Sequence, residues 1–172
     1  ALVLHSLASA LPDALGMSAG DVMMPVVPMF HVNAWGLPYT AVMTGTKQVF
    51  PGPHLDPHSL LSLVQEEKVT FTAGVPTIWL GILEALDKAP RAFDTSSLKV
   101  MVVGGAAAPQ SMIEGFEKRH GLHVLHAWGM TEMTPLGTVC RLKPHLQARS
   151  EEERFRIRAS QGLPAPLVEV RA

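Results

Sequence analysis

An α/β fold, a mostly parallel sheet flanked by helices, is predicted by three features of the sequence. Short apolar runs alternate with helical patterns of ten or so residues, the spacing of βαβ units. One run, Leu98 to Val103, is almost continuously apolar, as expected of a strand covered on both faces. Helix-start and helix-stop residues also fall where the alternation needs them, with Pro109 opening one helix and Gly121 closing it.

The elements follow in order. Leu2 to Leu15 reads as a helix and Asp21 to Val27 as a buried strand ended by Pro28. Asn33 to Thr44 reads as a helix with Asn33 as its N-cap. Lys47 to Phe50 is a short strand closed by Pro51-Gly52-Pro53. Asp56-Pro57 starts a helix, since Asp caps and Pro suits the first turn. That helix runs to about Glu67 on the spacing of Leu60, Leu61 and Val64. Val69 to Ala73 is a strand, Pro76 to about Asp87 a helix, Leu98 to Val103 a strand, and Pro109 to His120 a helix. Val124 to Ala127 is the last strand of the regular pattern. From Pro135 to Ser160 the sequence predicts loop plus one charged helix, and Val168 to Arg171 alternates like the start of a new strand. Residues 1–160 are therefore expected to form a partial α/β subdomain, and residues 161–172 to begin a β-rich one.

The 172 residues suit one domain or part of a larger one. Apolar residues make up 47% and charged residues 17%, against about 25% charged in an average soluble domain. Such a surface is partly an interface, or lacks a partner segment; both chain ends read as cuts. With 14 Lys and Arg against 15 Asp and Glu, the net charge is −1, which steers the chain to neither nucleic acid nor an anionic membrane. A local basic excess from Arg141 to Arg158 is broken by Glu151, Glu152 and Glu153, and reads as a solvated helix face. The lone Cys140 excludes an intrachain disulfide. No apolar run reaches the 18 or so residues of a membrane span, and a cytoplasmic location is expected.

Ligands of an open parallel sheet bind beyond the carboxyl ends of its strands. Four such ends stand out. Pro28-Met29-Phe30-His31-Val32-Asn33-Ala34-Trp35 offers a His and a Trp at a substrate entrance, or a core Trp and a structural His. Gly74-Val75-Pro76-Thr77 reads first as turn chemistry. Gly104-Gly105-Ala106-Ala107-Ala108-Pro109 leaves bare backbone against which a flat ligand can lie, or is a tight turn. It is no phosphate loop, since GxxxxGK(S/T) needs a Lys at the helix start. Ala127-Trp128-Gly129-Met130-Thr131-Glu132 combines an aromatic ring, a hydroxyl and a carboxylate. That inventory suits stacking a base, binding a phosphate oxygen and holding a hard cation.

Two patterns mislead. Gly16-Met17-Ser18-Ala19-Gly20 matches the GxSxG nucleophile elbow, but here a helix enters and a strand leaves, the reverse of what that motif needs. His123 and His126 stand at odd separation in a strand and should face opposite sides, so they should not share a metal.

The third and fourth ends together resemble the paired GGA and (Y/W)GxTE motifs of the adenylate-forming superfamily, which includes acyl-CoA synthetases, luciferases and peptide-synthetase adenylation domains. Val26-Val27-Pro28-Met29-Phe30-His31 resembles the PxFH motif that precedes them, and Gly74-Val75-Pro76-Thr77 the GVPT segment. The order is correct and nearly the whole chain is covered. Phe30 to Trp35, Pro51-Gly52-Pro53 and the Ser150-Glu151-Glu152-Glu153-Arg154 helix are most similar to the fatty acyl-CoA synthetase branch. The resemblance implies carboxylate attack on the α-phosphate of ATP, giving acyl-adenylate and pyrophosphate, then displacement of AMP by coenzyme A. It implies that Gly104, Gly105, Ala106 and Ala107 approach adenine. Trp128, Gly129 and Met130 would pack beside adenine and acyl carbonyl, Thr131 contact phosphate, and Glu132 ligate Mg²⁺. His31 would sit near the reacting carboxylate and Trp35 gate an acyl tunnel, with Val75, Pro76 and Thr77 on the substrate side. The family's phosphate loop is expected before Ala1, and its ribose-binding Asp and catalytic Lys beyond Ala172. An aryl or short-chain acid activator, or a noncatalytic nucleotide-binding module on the same sheet, are the alternatives; Thr131 with Glu132 argues against the last.

Overall fold

The computed structural model describes residues 1–171. Its strands are β1 (Val22–Pro25), β2 (Lys47–Gln48), β3 (Phe71–Gly74), β4 (Val100–Val103), β5 (Val124–Gly129), β6 (Leu136–Val139) and β7 (Leu163–Pro164). They form one sheet in the order β2-β1-β3-β4-β5-β6-β7. The first five pair in parallel, while β5 with β6 and β6 with β7 are antiparallel. The register aligns Gly74 with Val103, and Val103 with His126. The carboxyl ends of β3, β4 and β5 therefore open side by side, as the ligand edge of the sheet requires.

The central strands alternate between two cores. Met24, Met101, Val103 and Val124 face one side, where α4 (Pro57–Glu67), α5 (Pro76–Lys88), α6 (Gln110–His120) and α7 (Glu151–Arg158) cover them with Leu60, Trp79, Ile113, Phe116 and Phe155. Met23, Phe71, Ala73, Val102 and Leu125 face the other, under the segment from Ala14 to Met17 and α3 (Leu37–Thr44). Each fully buried large side chain contributes about 1.5–3 kcal/mol. Trp79 keeps its buried indole N–H satisfied by donating to the Val102 carbonyl at 3.0 Å.

Local chemistry explains the helix ends. Asp56 caps α4 by accepting from the Ser59 N–H at 3.0 Å, with Pro57 in the first turn. Gly121 closes α6 at φ 66°. Ser150 and Glu153 form a capping box at the start of α7.

Several expectations are corrected. The first helix, α1 (Leu2–Ala10), stops early because Leu11 precedes Pro12 and is forced out of the helical region, at φ −63°, ψ 141°. Asn33 is not an N-cap. Residues Val32–Trp35 (α2) form a single left-handed turn with Asn33 at φ 51°, and α3 begins at Leu37 after Gly36, φ 67°. A right-handed helix starting at Asn33 would place the Pro38 ring in its interior, against the Ala34 carbonyl. The stretch after Glu132 is not mere loop, since Leu136–Val139 pairs with β5. Val168 to Arg171 forms no strand; β7 lies earlier, at Leu163–Pro164, and pairs with β6. Nor is α7 only a solvated face. Arg158 is buried, donating to the Val124 carbonyl at 3.2 Å and pairing with Glu117. The charge-poor composition shows on the surface, where Val3, Leu4 and Leu7 of α1 and Tyr39 and Val42 of α3 are exposed.

Candidate functional site

The carboxyl ends of β1, β3, β4 and β5 open on a cavity of about 320 Å³. His31 and Trp35 reach it from the segment after β1, and Gly104 and Gly105 from the turn after β4. Trp128, Gly129, Met130, Thr131 and Glu132 reach it from the end of β5. Three of the four strand ends singled out in the sequence thus meet in one cavity. The second, Gly74-Val75-Pro76-Thr77, does not line it. Pro76 is buried as the first residue of α5, Thr77 is exposed, and Val75 stands behind Gly105, its Cγ1 3.2 Å from where a Gly105 Cβ would be. Ala106 and Ala107 are exposed outside the lining.

The bare backbone after β4 does admit a flat group, and in this structure the group is Trp35. Its indole edge lies 3.2 Å from the position a Gly104 Cβ would take and 3.7 Å from that of Gly105. Any second planar ligand against these glycines shares its space with that ring.

At the end of β5 a bulge between Trp128 and Gly129 interrupts the pairing with β6. Bulges bend a strand and re-aim its side chains. Here the chain then folds back: the Met130 N–H donates to the Pro135 carbonyl at 3.0 Å, and Thr131–Met133 makes one 3₁₀ turn. That turn leaves Thr131 and Glu132 exposed at the rim, while the Trp128 ring lies across Gly137 of β6. The floor is apolar, with Leu15, Leu37, Ala73, Val102 and Leu136.

The ion pairs of the chain lie elsewhere, as in Asp87 with Arg119 and Lys118 with Glu151, and among the described residues none engages Glu132. Among those residues there is also no cluster of three or more His, Cys, Asp or Glu able to hold a metal. One free carboxylate beside one free hydroxyl does not cage a cation. It does suit Mg²⁺, which keeps several waters and is held by one or two carboxylates together with substrate phosphates.

His5 is a site residue that sequence reasoning missed. It lines the same cavity, yet is buried on α1 with Nε2 3.3 Å from Ser9 Oγ. Burial pushes its imidazole down to about 4, so the ring is neutral at pH 7. A His within a run of small and apolar residues, Leu4 to Ala10, was the only available signal.

Two further histidines, His123 and His126, are structural. His126 is buried and donates from Nδ1 to the Ala159 carbonyl at 3.0 Å, while Nε2 accepts the Ala108 N–H at 3.4 Å. The neutral Nδ1–H tautomer satisfies both bonds, and burial lowers the pKa accordingly. It thereby ties the far end of the Gly104–Ala108 turn to the end of α7. His123 precedes β5, escapes its alternation, and meets Arg158 at 3.1 Å, so both rings look toward α7 rather than to opposite sides. Ser18 of the false nucleophile elbow donates its hydroxyl to Asp21 at 2.8 Å in the turn before β1.

Residues 2–172 match the family model described as AMP-binding enzyme. The chain is 52% identical over 171 residues to the long-chain-fatty-acid–CoA ligase of Thermus thermophilus, covering 99% of this chain and 31% of that protein. It is 48% identical over 169 residues to the medium-chain-fatty-acid–CoA ligase of Ectopseudomonas oleovorans, covering 98% and 31%. Among solved structures, a long-chain-fatty-acid-CoA ligase from Archaeoglobus fulgidus superposes with a TM-score of 0.79 at 26% identity, over 95% of this chain and 32% of that one. The o-succinylbenzoate coenzyme A synthetase of Bacillus subtilis, solved with ATP and a magnesium ion, shares the fold at a TM-score of 0.73 and 22% identity, over 96% and 31%. The chain thus spans about a third of the length of the curated relatives it matches. The mostly parallel sheet, the cavity at its carboxyl edge and a family match over almost every residue agree: the chain belongs to the AMP-binding enzyme family.

Proposed function

We propose that this chain is part of an ATP-dependent fatty acyl-CoA synthetase, an AMP-forming acid–thiol ligase. The observation that carries the reading is one cavity with two chemistries: a polar rim at Thr131 and Glu132, and an apolar floor from Leu15 to Leu136. A fatty acid has the matching halves, a carboxylate to be activated and a hydrocarbon tail to be buried. In this reading the carboxylate oxygen attacks the α-phosphorus of ATP, the bond to pyrophosphate breaks, and coenzyme A thiolate later displaces AMP from the acyl-adenylate.

The chain's own residues divide the work. Gly104 and Gly105 let adenine approach the backbone, with Ala106 and Ala107 at its edge, and Trp128, Gly129 and Met130 form the opposite wall. Thr131 donates its hydroxyl to a phosphate oxygen. His31, at the mouth, orients the reacting carboxylate. Val75, Pro76 and Thr77 act from behind, Val75 by supporting Gly105. Glu132 would hold Mg²⁺, which when bound offsets the negative charge gathered on the phosphates. Fixed donors aimed at developing charge supply much of the barrier lowering in such sites. Residues 1–160 are proposed as the AMP-binding part, with residues 161–172 leading toward a β-rich subdomain. Fatty acid, ATP and coenzyme A are the partners, with no nucleic acid. The proposed compartment is the cytoplasm; no helix among the described residues is long and apolar enough to cross a membrane.

Carboxylate-dependent exchange of pyrophosphate into ATP by the full-length protein tests the reading, with short, medium and long straight-chain acids compared against benzoate. Exchange is expected with the straight-chain acids, followed by thioester formation when coenzyme A is added. Exchange with benzoate alone, or none, refutes it.

Trp35→Ala withdraws the indole from over Gly104 and Gly105. The ratio of kcat/KM for long against short acids should then change by about tenfold, the scale of discrimination a hydrophobic pocket achieves. A folded variant with the wild-type chain-length profile would assign Trp35 to the core.

A further inference from the structure

We infer that the cavity enclosed by α6, α7 and the connector leading into α7 is a second ligand site, which takes a compact monocarboxylate on Arg154.

This cavity holds about 230 Å³. That is below the 300–1,000 Å³ or so of pockets for drug-sized ligands, so it suits a small molecule. It shares no lining residue with the cavity at the carboxyl edge of the sheet. It lies instead near the amino end of β5, where His123 forms part of its wall.

Its charged walls are Glu117 of α6 and Glu151, Arg154 and Arg158 of α7. Each carboxylate already has a cation of its own. Glu117 pairs with the buried Arg158, and Glu151 with Lys118 at 2.8 Å. Arg154 is left over. Among the described residues its guanidinium enters no ion pair, and its Nε is buried without a hydrogen-bond partner. Buried donors almost always have an acceptor, from protein, water or ligand. His123 adds no charge at pH 7, since burial and then the Arg158 guanidinium, 3.1 Å from its Nδ1, lower its pKa.

The ligand class follows from this remainder. One surplus cation balances one negative charge, and the planar fork of a guanidinium matches the two oxygens of a carboxylate. A phosphate dianion would bring a second charge against Glu117 and Glu151, with no further free cation in the wall to meet it. A metal ion finds no free carboxylate, because both are paired. Leu142 and Phe155 complete the lining and offer apolar surface to a short hydrocarbon group.

Saturation-transfer NMR of butyrate with the full-length protein tests the site, comparing wild type with Arg154→Gln and Leu142→Trp. The first removes the surplus charge and the second adds bulk to the wall. Wild type should show a saturable component with a Kd on the order of 1 mM, as expected for so small a ligand. Both variants should lose that component, while any butyrate held at the carboxyl edge stays. Arg154→Gln should keep the wild-type Tm and circular dichroism, because that guanidinium holds no ion pair among the described residues. n-Butylammonium should not displace the Arg154-dependent butyrate, and inorganic phosphate should do so about tenfold or more weakly than butyrate itself. The same butyrate titration for wild type and a folded Arg154→Gln overturns the site, as does a wild type that binds none. Phosphate displacing butyrate as well as butyrate does overturns the ligand class. If Leu142→Trp does not fold, Arg154→Gln decides alone. None of these measurements uses pyrophosphate exchange, so the synthetase reading and this site stand or fall separately.

Discussion

The Glu132→Gln enzyme is expected to exchange pyrophosphate into ATP on the order of 100-fold or more slowly than wild type, at an unchanged fold. Glu132 is exposed at the rim, and no ion pair among the described residues engages it. A free carboxylate beside a polyanionic substrate is repulsive unless a cation lies between them. Replacing it with Gln keeps the shape and removes the charge. Since no ion pair among the described residues depends on that charge, circular dichroism should be unaltered. Losing one ligand to a hard cation should weaken transition-state stabilisation by several kcal/mol, and about 1.4 kcal/mol is tenfold in rate. The variant should also need more Mg²⁺ to reach its own maximum. Near wild-type exchange across a Mg²⁺ titration would leave Glu132 as a loop residue.

The second large effect is expected at Gly129, for a steric reason. A Cβ there would overlap the Pro135 carbonyl oxygen and come within 2.7 Å of its carbon. The obstacle is backbone, so no rotamer change relieves it. Gly129→Ala must push the turn after β5 away from β6, against the hydrogen bond from the Met130 N–H to that same carbonyl. Overpacking of this kind costs about 1–3 kcal/mol. The displaced turn carries Thr131 and Glu132, and misplacement of about 1 Å in a site costs up to about 100-fold. Thermal melting and exchange should therefore both fall. Gly20→Ala is the control, because a Cβ there meets only Ser18 Oγ at 3.9 Å and should be nearly neutral. A Gly129→Ala protein with the wild-type Tm and exchange rate would show that the turn has slack the packing does not suggest.

What was legible in the sequence depended on the range of the interactions involved. The helices from Pro57, Pro76 and Gln110 were readable because caps, prolines at or just before the first turn and the Gly121 stop act over a few residues. The strand from Val100 to Val103 was readable because burial on both faces leaves an unbroken apolar run. Strand β6 was not. Leu136-Gly137-Thr138-Val139 is four residues long and contains a glycine, and what makes it a strand is its distant context: Trp128 needs Gly137 bare in order to lie across it. The left-handed turn at Val32–Trp35 was equally hidden, since local propensity disfavours it for four consecutive L residues.

The candidate site divides the same way. By itself the sequence determined the strand ends that could carry ligand chemistry, and the residue types there, from His31 and Trp35 to Gly104, Gly105, Thr131 and Glu132. Those assignments rest on alternation and short motifs, which the parallel order of β1, β3, β4 and β5 converts into one edge. Only the tertiary structure decided which of them share a cavity. It left Val75 behind Gly105, laid Trp35 over the glycines, and brought His5 from the start of the chain beside Leu136. His5 of α1 and Leu136 of β6 line one cavity though more than 120 positions apart in sequence, and no periodicity within either segment encodes that meeting.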